Sequence, residues 1–155
     1  MNNQDFYLAF ENQFRGTSAG LQNKLSIYNG LLKEILDLIQ KPTVLDIGSG
    51  RGEWLLKCKE LGFKSIGIES NNSMVNASRG NGLEIYHGDA LDVLRQLPDN
   101  SFNIISSFHV IEHLHHSEIV QLINECYRVL SNNGVLIMET PSIDSLLVST
   151  KQFYI

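Results

Sequence analysis

The stretch that decides the fold is Val44-Leu45-Asp46-Ile47-Gly48-Ser49-Gly50-Arg51-Gly52-Glu53-Trp54, followed by Ile66-Gly67-Ile68-Glu69. An apolar run enters a glycine-rich turn, the turn opens a helical pattern, and a second apolar run ends on a carboxylate. This is the layout of a βαβ unit that holds a nucleoside. Glycines let the backbone turn sharply and approach a ligand closely, where a Cβ would collide. An acidic side chain about twenty residues further on accepts hydrogen bonds from both hydroxyls of a ribose.

The glycine spacing opposes a dinucleotide. The fingerprint G-x-G-x-x-G reserves its third glycine for helix–strand packing beneath a pyrophosphate. Here the pattern is Gly48-x-Gly50-x-Gly52, and Glu53 occupies the position of that third glycine. Its carboxylate would repel phosphate oxygens, and Asp46 adds a second negative charge on the same side. A ligand bearing an ammonium or a sulfonium suits such a loop better, and S-adenosylmethionine carries both. No Gly-Lys-Ser/Thr follows the glycines, which removes a P-loop from consideration.

Asp46 to Trp54 resembles motif I of class I S-adenosylmethionine-dependent methyltransferases of the type 11/12 kind. Further matches follow in family order: Glu69 after the second strand, Gly88-Asp89-Ala90 after the third, and Ser107-Phe108-His109-Val110-Ile111-Glu112-His113 after the fourth. Cys126-Tyr127-Arg128-Val129-Leu130-Ser131-Asn132-Asn133-Gly134-Val135-Leu136 is similar to the family's R-V-L-K-P-G-G stretch. The likeness spans residues 40–141. A narrower one rests on Phe10-Glu11-Asn12-Gln13-Phe14-Arg15-Gly16-Thr17, the Arg51-Gly52-Glu53-Trp54 ending, the Phe108–His113 segment and Met138-Glu139-Thr140-Pro141-Ser142. Together these resemble methyltransferase domains that cap O-antigen chains. That resemblance implies polysaccharide biosynthesis and a sugar hydroxyl or sugar phosphate as acceptor.

Around the motifs, helices and strands alternate. Residues 1–20 read as a polar arm with scattered aromatics, and residues 21–155 as the cofactor-binding core. Leu21, Leu25, Tyr28, Leu32, Ile35 and Ile39 recur at helical spacing up to Lys41-Pro42. Strands are expected over 43–47, 65–68, 83–86, 101–106 and 135–139. Helices are expected over 52–61, 73–79, 91–94 and 117–130, the last capped by Ser117 with Ile119, Leu122, Ile123, Cys126 and Leu130 on one face. Such alternation predicts an α/β fold, a parallel sheet with helices on both faces. The resemblance implies a Rossmann-like strand order 3-2-1-4-5, with the ligand at the carboxyl ends of strands one and four. The family usually adds sixth and seventh strands. Here the chain ends about fifteen residues past the fifth, so a truncated core with an open edge for self-association is expected.

The bulk composition fits a soluble domain: 155 residues, 43% hydrophobic, 19% charged, formal net charge −5. Scattered basic residues and a negative net charge oppose general nucleic-acid binding. No apolar run is long enough to span a bilayer, and the N-terminus lacks signal-peptide regions. Cys58 and Cys126 lie in helical patterns and read as reduced core thiols, which points to a cytoplasmic location.

The resemblance distributes roles along the chain. Gly48, Ser49, Gly50 and Gly52 bring backbone against the cofactor, Asp46 holds its amino end, and Glu69 with Ser70 takes the ribose. Asp89 and Ala90 border the adenine, although Asp89 also has the position of a helix N-cap. Met74 covers the adenine or belongs to the core, and Trp54 and Phe108 flank the cofactor or pack inside. Arg15 is placed to meet the cofactor's carboxylate from the arm. His109, Glu112 and His113 are the catalytic candidates. The two histidines stand four apart, so they would share a helix face, and imidazole has the pKa range of a base. The array faintly resembles the Glu-x-x-Glu-His motif of metal-dependent RNA 2′-O-methyltransferases. That family needs another distant histidine, and beyond His115 and His116 only His87 remains, so no metal is assigned.

The leading expectation is therefore an S-adenosylmethionine-dependent methyltransferase that O-methylates a saccharide or other small-molecule acceptor and forms S-adenosylhomocysteine. A binding module incomplete without a further segment or partner is the alternative. An NAD-linked oxidoreductase is disfavoured by Glu53.

Overall fold

The computed structural model describes residues 18–142. The expected contact from Arg15, and the expectations about the arm and the C-terminal end, fall in residues 1–17 and 143–155, outside the described residues. Helix α1 (Ser18–Leu25) runs through a 3-10 turn (Ser26–Tyr28) into α2 (Asn29–Leu38), so the single helix expected here is broken. Ser26 Oγ donates to the Asn23 carbonyl at 2.6 Å. Such back-bonding competes with the helical ladder and bends it. The break turns Tyr28 toward the sheet, which proves important for the site.

The alternating part follows as β1 (Thr43–Ile47), α3 (Glu53–Leu61), β2 (Lys64–Glu69), α4 (Asn72–Gly80), β3 (Glu84–His87), α5 (Ala90–Leu94), β4 (Phe102–Phe108), a 3-10 turn (Ile111–His113), α6 (His116–Val129) and β5 (Leu130–Glu139). The five strands are parallel in the order β3-β2-β1-β4-β5. The expected topology is borne out. Alternate residues of each strand feed opposite faces, as the pleat requires. Leu45, Ile47, Ile66, Ile68 and Ile105 pack under Leu94 of α5 and Leu122, Cys126 and Val129 of α6. Val44, Ile104 and Ile137 meet Leu32 and Ile35 of α2 and Trp54 and Cys58 of α3 on the other face. Leu55, Val75, Leu83 and Ile85 close the α3–α4 side of that second layer.

Two expectations at the β5 end are corrected. Helix α6 begins at His116, where Glu118 accepts the His115 N–H at 2.7 Å, rather than at a Ser117 cap. Its buried stripe is Leu122, Cys126 and Val129, while Ile123 is exposed. The residues between helix and strand also belong to β5. Phe102 pairs with Leu130 and Ile104 with Val135, so two steps along β4 match five along β5. Residues 131–134 are taken up in this irregularity, with Asn133 at φ 63°. Asparagine tolerates that left-handed region better than most residues. Among the described residues, no helix is long and apolar enough to cross a membrane.

Candidate functional site

The site lies where β1, β2, β4 and β5 end, and the glycine loop forms its floor. Gly48, Gly50 and Gly52 all have positive φ, at 69°, 54° and 80°. The loop's amides are consumed within the protein: Gly48 and Ser49 donate to the Ile68 carbonyl at 2.9 and 3.1 Å, and Gly52 to the Ser49 carbonyl at 2.9 Å. Gly50 donates to Glu69 Oε2 at 2.8 Å. A pyrophosphate-binding turn presents such amides to the phosphate oxygens. Here three of the four are turned into the β2 side, and the fourth, from Gly52, closes the loop on Ser49. Glu53, at the first turn of α3, is buried and stands 2.7 Å from Arg51 Nε. Its charge is therefore paired, and the rejection of phosphate comes as much from the spent amides as from Glu53.

Two clefts open on this floor. The first, about 430 Å³, has Asp46, Trp54 and Glu139 in its wall; the second, about 330 Å³, has Glu69, Ser70 and Met74. Gly48, Phe108 and His109 border both. A Cβ at Gly48 would lie 2.5 Å from Val110 Cγ2, so the loop and the segment after β4 meet at a point where only glycine fits. Asp46 is buried and accepts from Ser106 Oγ at 2.7 Å. Glu69 is 9% exposed; its Oε1 accepts the Asn71 N–H at 2.8 Å, complementing the Gly50 bond to Oε2. Each carboxylate oxygen has a second lone pair, so acceptor capacity remains for a ligand.

The first cleft is walled by rings. Trp54 packs edge-on to Tyr28 and Phe108, with centroids 5.6 and 5.4 Å apart, and Tyr28 to Phe108 at 5.8 Å. Tyr28 OH donates to Glu139 Oε2 at 2.9 Å. Burial and the neighbouring Glu139 push this phenol up to about 12, so it stays a neutral donor. At the mouth, the pairing of Phe108 with Glu139 lets the His109 N–H donate to the Glu139 carbonyl at 2.8 Å. His109 has φ 59°, a conformation that is uncommon for residues other than glycine and found at functional turns. Its Nδ1 stands 3.4 Å from Glu112 Oε1 and its Nε2 4.0 Å from Glu139 Oε1.

A methyltransferase domain model matches residues 45–138, more than half of the chain. The chain belongs to the methyltransferase domain family. A "probable S-adenosylmethionine-dependent methyltransferase" of Mycolicibacterium smegmatis is 32% identical over 101 residues, covering 64% of this chain and 38% of that protein. The phosphoethanolamine N-methyltransferase of Plasmodium falciparum is 32% identical over 109 residues, covering 66% and 40%. The crystal structure of an S-adenosylmethionine-dependent methyltransferase from Archaeoglobus fulgidus superposes with a TM-score of 0.81 at 32% identity, covering 92% of this chain and 61% of that one. The chain thus spans about two fifths of the length of these curated relatives. The cofactor of this methyltransferase domain is S-adenosylmethionine.

The clefts fit that cofactor. Glu69, Ser70 and Met74 gather in the second cleft, Asp46 and Trp54 in the first, with Gly48 and Phe108 between them. Ser49 and Gly50 meet the clefts through the backbone; the Ser49 hydroxyl turns toward Gly67, where a Cβ would come within 2.5 Å of it. Four expected residues line neither cleft: Gly52, Asp89, Ala90 and Glu112. Gly52 packs beneath the loop, its missing side chain leaving room for Leu83 and Ser78. Asp89 is the N-cap of α5, accepting from Leu91 and Asp92 amides at 2.9 and 3.3 Å, and with Ala90 it lines neither cleft. The histidine expectation is also corrected. His109 and His113 do not share a helix face, because His109 sits in a left-handed turn and His113 in a 3-10 turn. His113 borders only the second cleft, while His109 borders both. Among the described residues, no group of three or more His, Cys, Asp or Glu side chains is arranged to hold a metal ion.

Sequence reasoning missed Tyr28, Glu139, Lys24 and Asn71. Lys24 lines the first cleft, and Asn71 lines the second while capping α4 through its side chain. The Asn-Asn-Ser after Glu69 was a legible cap signal. Nothing local marked Tyr28 or Glu139, which meet across 111 residues of sequence.

Proposed function

We propose that this chain binds S-adenosylmethionine across both clefts and methylates a proton-bearing atom of a small polar acceptor, with His109 receiving the proton. Bound S-adenosylmethionine supplies an electrophilic methyl group on a sulfonium. The rest of the work belongs to the protein, and it is mainly alignment of two reactants. Glu69 takes the ribose end and Asp46 the amino end. The sulfur joins these two halves covalently, so a ligand spanning both clefts brings it to the wall they share. His109 is in that wall. This single placement carries the reading, because a base has to stand within reach of the reacting atom. His113, on the ribose side, holds the turn after β4 through its N–H to the Val110 carbonyl at 3.0 Å.

Two acceptor scaffolds have support. The motif set shared with O-antigen-capping domains supports O-methylation of a saccharide in polysaccharide biosynthesis. The phosphoethanolamine N-methyltransferase relative supports a small amine. The first experiment is a calorimetric titration with S-adenosylmethionine, repeated on Glu69→Ala and with NAD. Micromolar binding that Glu69→Ala loses and NAD lacks is the expected result. No binding by folded protein, or equal affinity for NAD, would sink the reading.

A further inference from the structure

We propose that the acceptor's nucleophile is an amino group that arrives as an ammonium, recognised by the array Glu139–His109–Glu112. This rests on the function proposed above and concerns the atom methylated, not the scaffold that carries it.

The array is held from behind at both ends. Glu139 Oε2 accepts from Tyr28 OH at 2.9 Å, and Glu112 Oε2 accepts from Thr140 Oγ1 at 3.1 Å. In each carboxylate it is the other oxygen, Oε1, that stands toward the imidazole, 4.0 Å from Nε2 and 3.4 Å from Nδ1. The ring thus has a carboxylate on each side, Glu139 in the wall of the first cleft and Glu112 outside the wall of either. Its backbone is fixed by the bond to the Glu139 carbonyl and bent into a left-handed turn to reach that place. Among the described residues, Lys24 is the one lysine or arginine lining the first cleft, beside Asp46, Glu53 and Glu139 in the same wall. Glu53 is already paired with Arg51.

This charge pattern sorts nucleophiles. A carboxylate or phosphate oxygen is repelled and brings no proton for His109. A hydroxyl has to develop negative charge beside two carboxylates as it loses its proton. An ammonium is attracted in the ground state. It gives one proton to the His109 imidazole, and the imidazolium so formed lies between Glu112 and Glu139. The freed nitrogen lone pair then forms the N–C bond while the electrons of the breaking S–C bond stay on sulfur. Positive charge thereby passes from sulfur to nitrogen, where the carboxylates stabilise it more in the transition state than in the neutral-amine complex that precedes it. The product is a methylated ammonium, and His109, with its side chain 44% exposed, returns its proton to water.

Sinefungin tests this without knowledge of the acceptor, because an ammonium-bearing carbon replaces the methylsulfonium. Affinities for S-adenosylhomocysteine, S-adenosylmethionine and sinefungin are measured by calorimetry on the wild-type chain, Glu139→Gln, Glu112→Gln and Tyr28→Phe. The expected result is that Glu139→Gln and Glu112→Gln each weaken sinefungin at least fivefold more than S-adenosylmethionine, with Tyr28→Phe intermediate. Binding of S-adenosylhomocysteine by each variant certifies its fold. Equal losses for sinefungin and S-adenosylmethionine, or none for either, would overturn the amine assignment. Failure of the wild type to bind S-adenosylhomocysteine would instead overturn the function on which the assignment rests.

Discussion

Replacing Glu69 by glutamine removes a charge at the centre of the site and keeps the shape of the side chain. The carboxylate accepts two backbone N–H groups at 2.8 Å, from Gly50 through one oxygen and Asn71 through the other. A glutamine amide keeps one accepting oxygen and turns its NH₂ toward the second N–H. One charge-assisted bond is lost, worth about 1.5–3 kcal/mol net. For a chain of 155 residues, at about 3–4 °C per kcal/mol, the melting temperature falls by roughly 5–12 °C. The ribose also loses a charged acceptor, which costs about 1.5 kcal/mol or more, a loss in Kd of about tenfold. Thermal melts of the free chain and calorimetry with S-adenosylmethionine read the two effects separately. A lowered melting temperature with unchanged Kd would refute the ribose role and leave Glu69 as a staple of the loop. Unchanged values of both would refute the hydrogen-bond reasoning itself.

Three further outcomes follow from single features. Gly48→Ala places a methyl 2.5 Å from Val110 Cγ2 at φ 69°, so strain of about 1–2 kcal/mol and a displaced Val110 should weaken S-adenosylmethionine binding while far-UV circular dichroism is retained; unaltered affinity would contradict the close approach. The Tyr28 phenol ionises near pH 10 when unfolded and near 12 when folded, so the unfolded state loses its proton first. Stability should therefore fall between pH 10 and 12 and then level off, and urea midpoints across that range should fall less steeply in Tyr28→Phe. Cys58 and Cys126 are free and fully buried. Burial pushes the Cys58 thiol well up, with Asp46 adding to it, and the Cys126 thiol to about 12. Both should react with a disulfide reagent at pH 8 only after urea unfolds the chain, and rapid labelling of the native protein would count against this core.

The rejection of phosphate shows how sequence and structure answer the same question differently. Glu53 signalled it from its place in the glycine pattern, and the paired Arg51 then reduces that signal. An equal reason is tertiary. Once β1 lies beside β2, the carbonyl of Ile68 and the carboxylate of Glu69 take the amides that would otherwise face a ligand.

Local order was legible because it is set by neighbours in the chain. The apolar run from Val44 to Ile47 against Gly48 placed a strand entering a turn, and Lys41-Pro42 placed the end of the preceding helix close to where it stands. The spacing from Gly50 to Glu69 sufficed to foresee the carboxylate beside the loop, since one right-handed βαβ crossover admits that meeting. What the chain did not reveal are the contacts made by register between distant elements. His109 and His113 looked equivalent at a spacing of four, and only the left-handed turn after β4 sends one to the wall between the clefts and the other to the second cleft alone. Tyr28 and Glu139 carry no local sign of each other. They meet because Ser26 breaks the first helix and because β5 pairs with β4 so that Glu139 stands beside Phe108. Sequence determined the glycine loop and its meeting with Glu69, because those partners lie within one crossover. Tertiary structure decided the wall where His109, Tyr28 and Glu139 meet, because sheet register, which no local pattern encodes, brings them together.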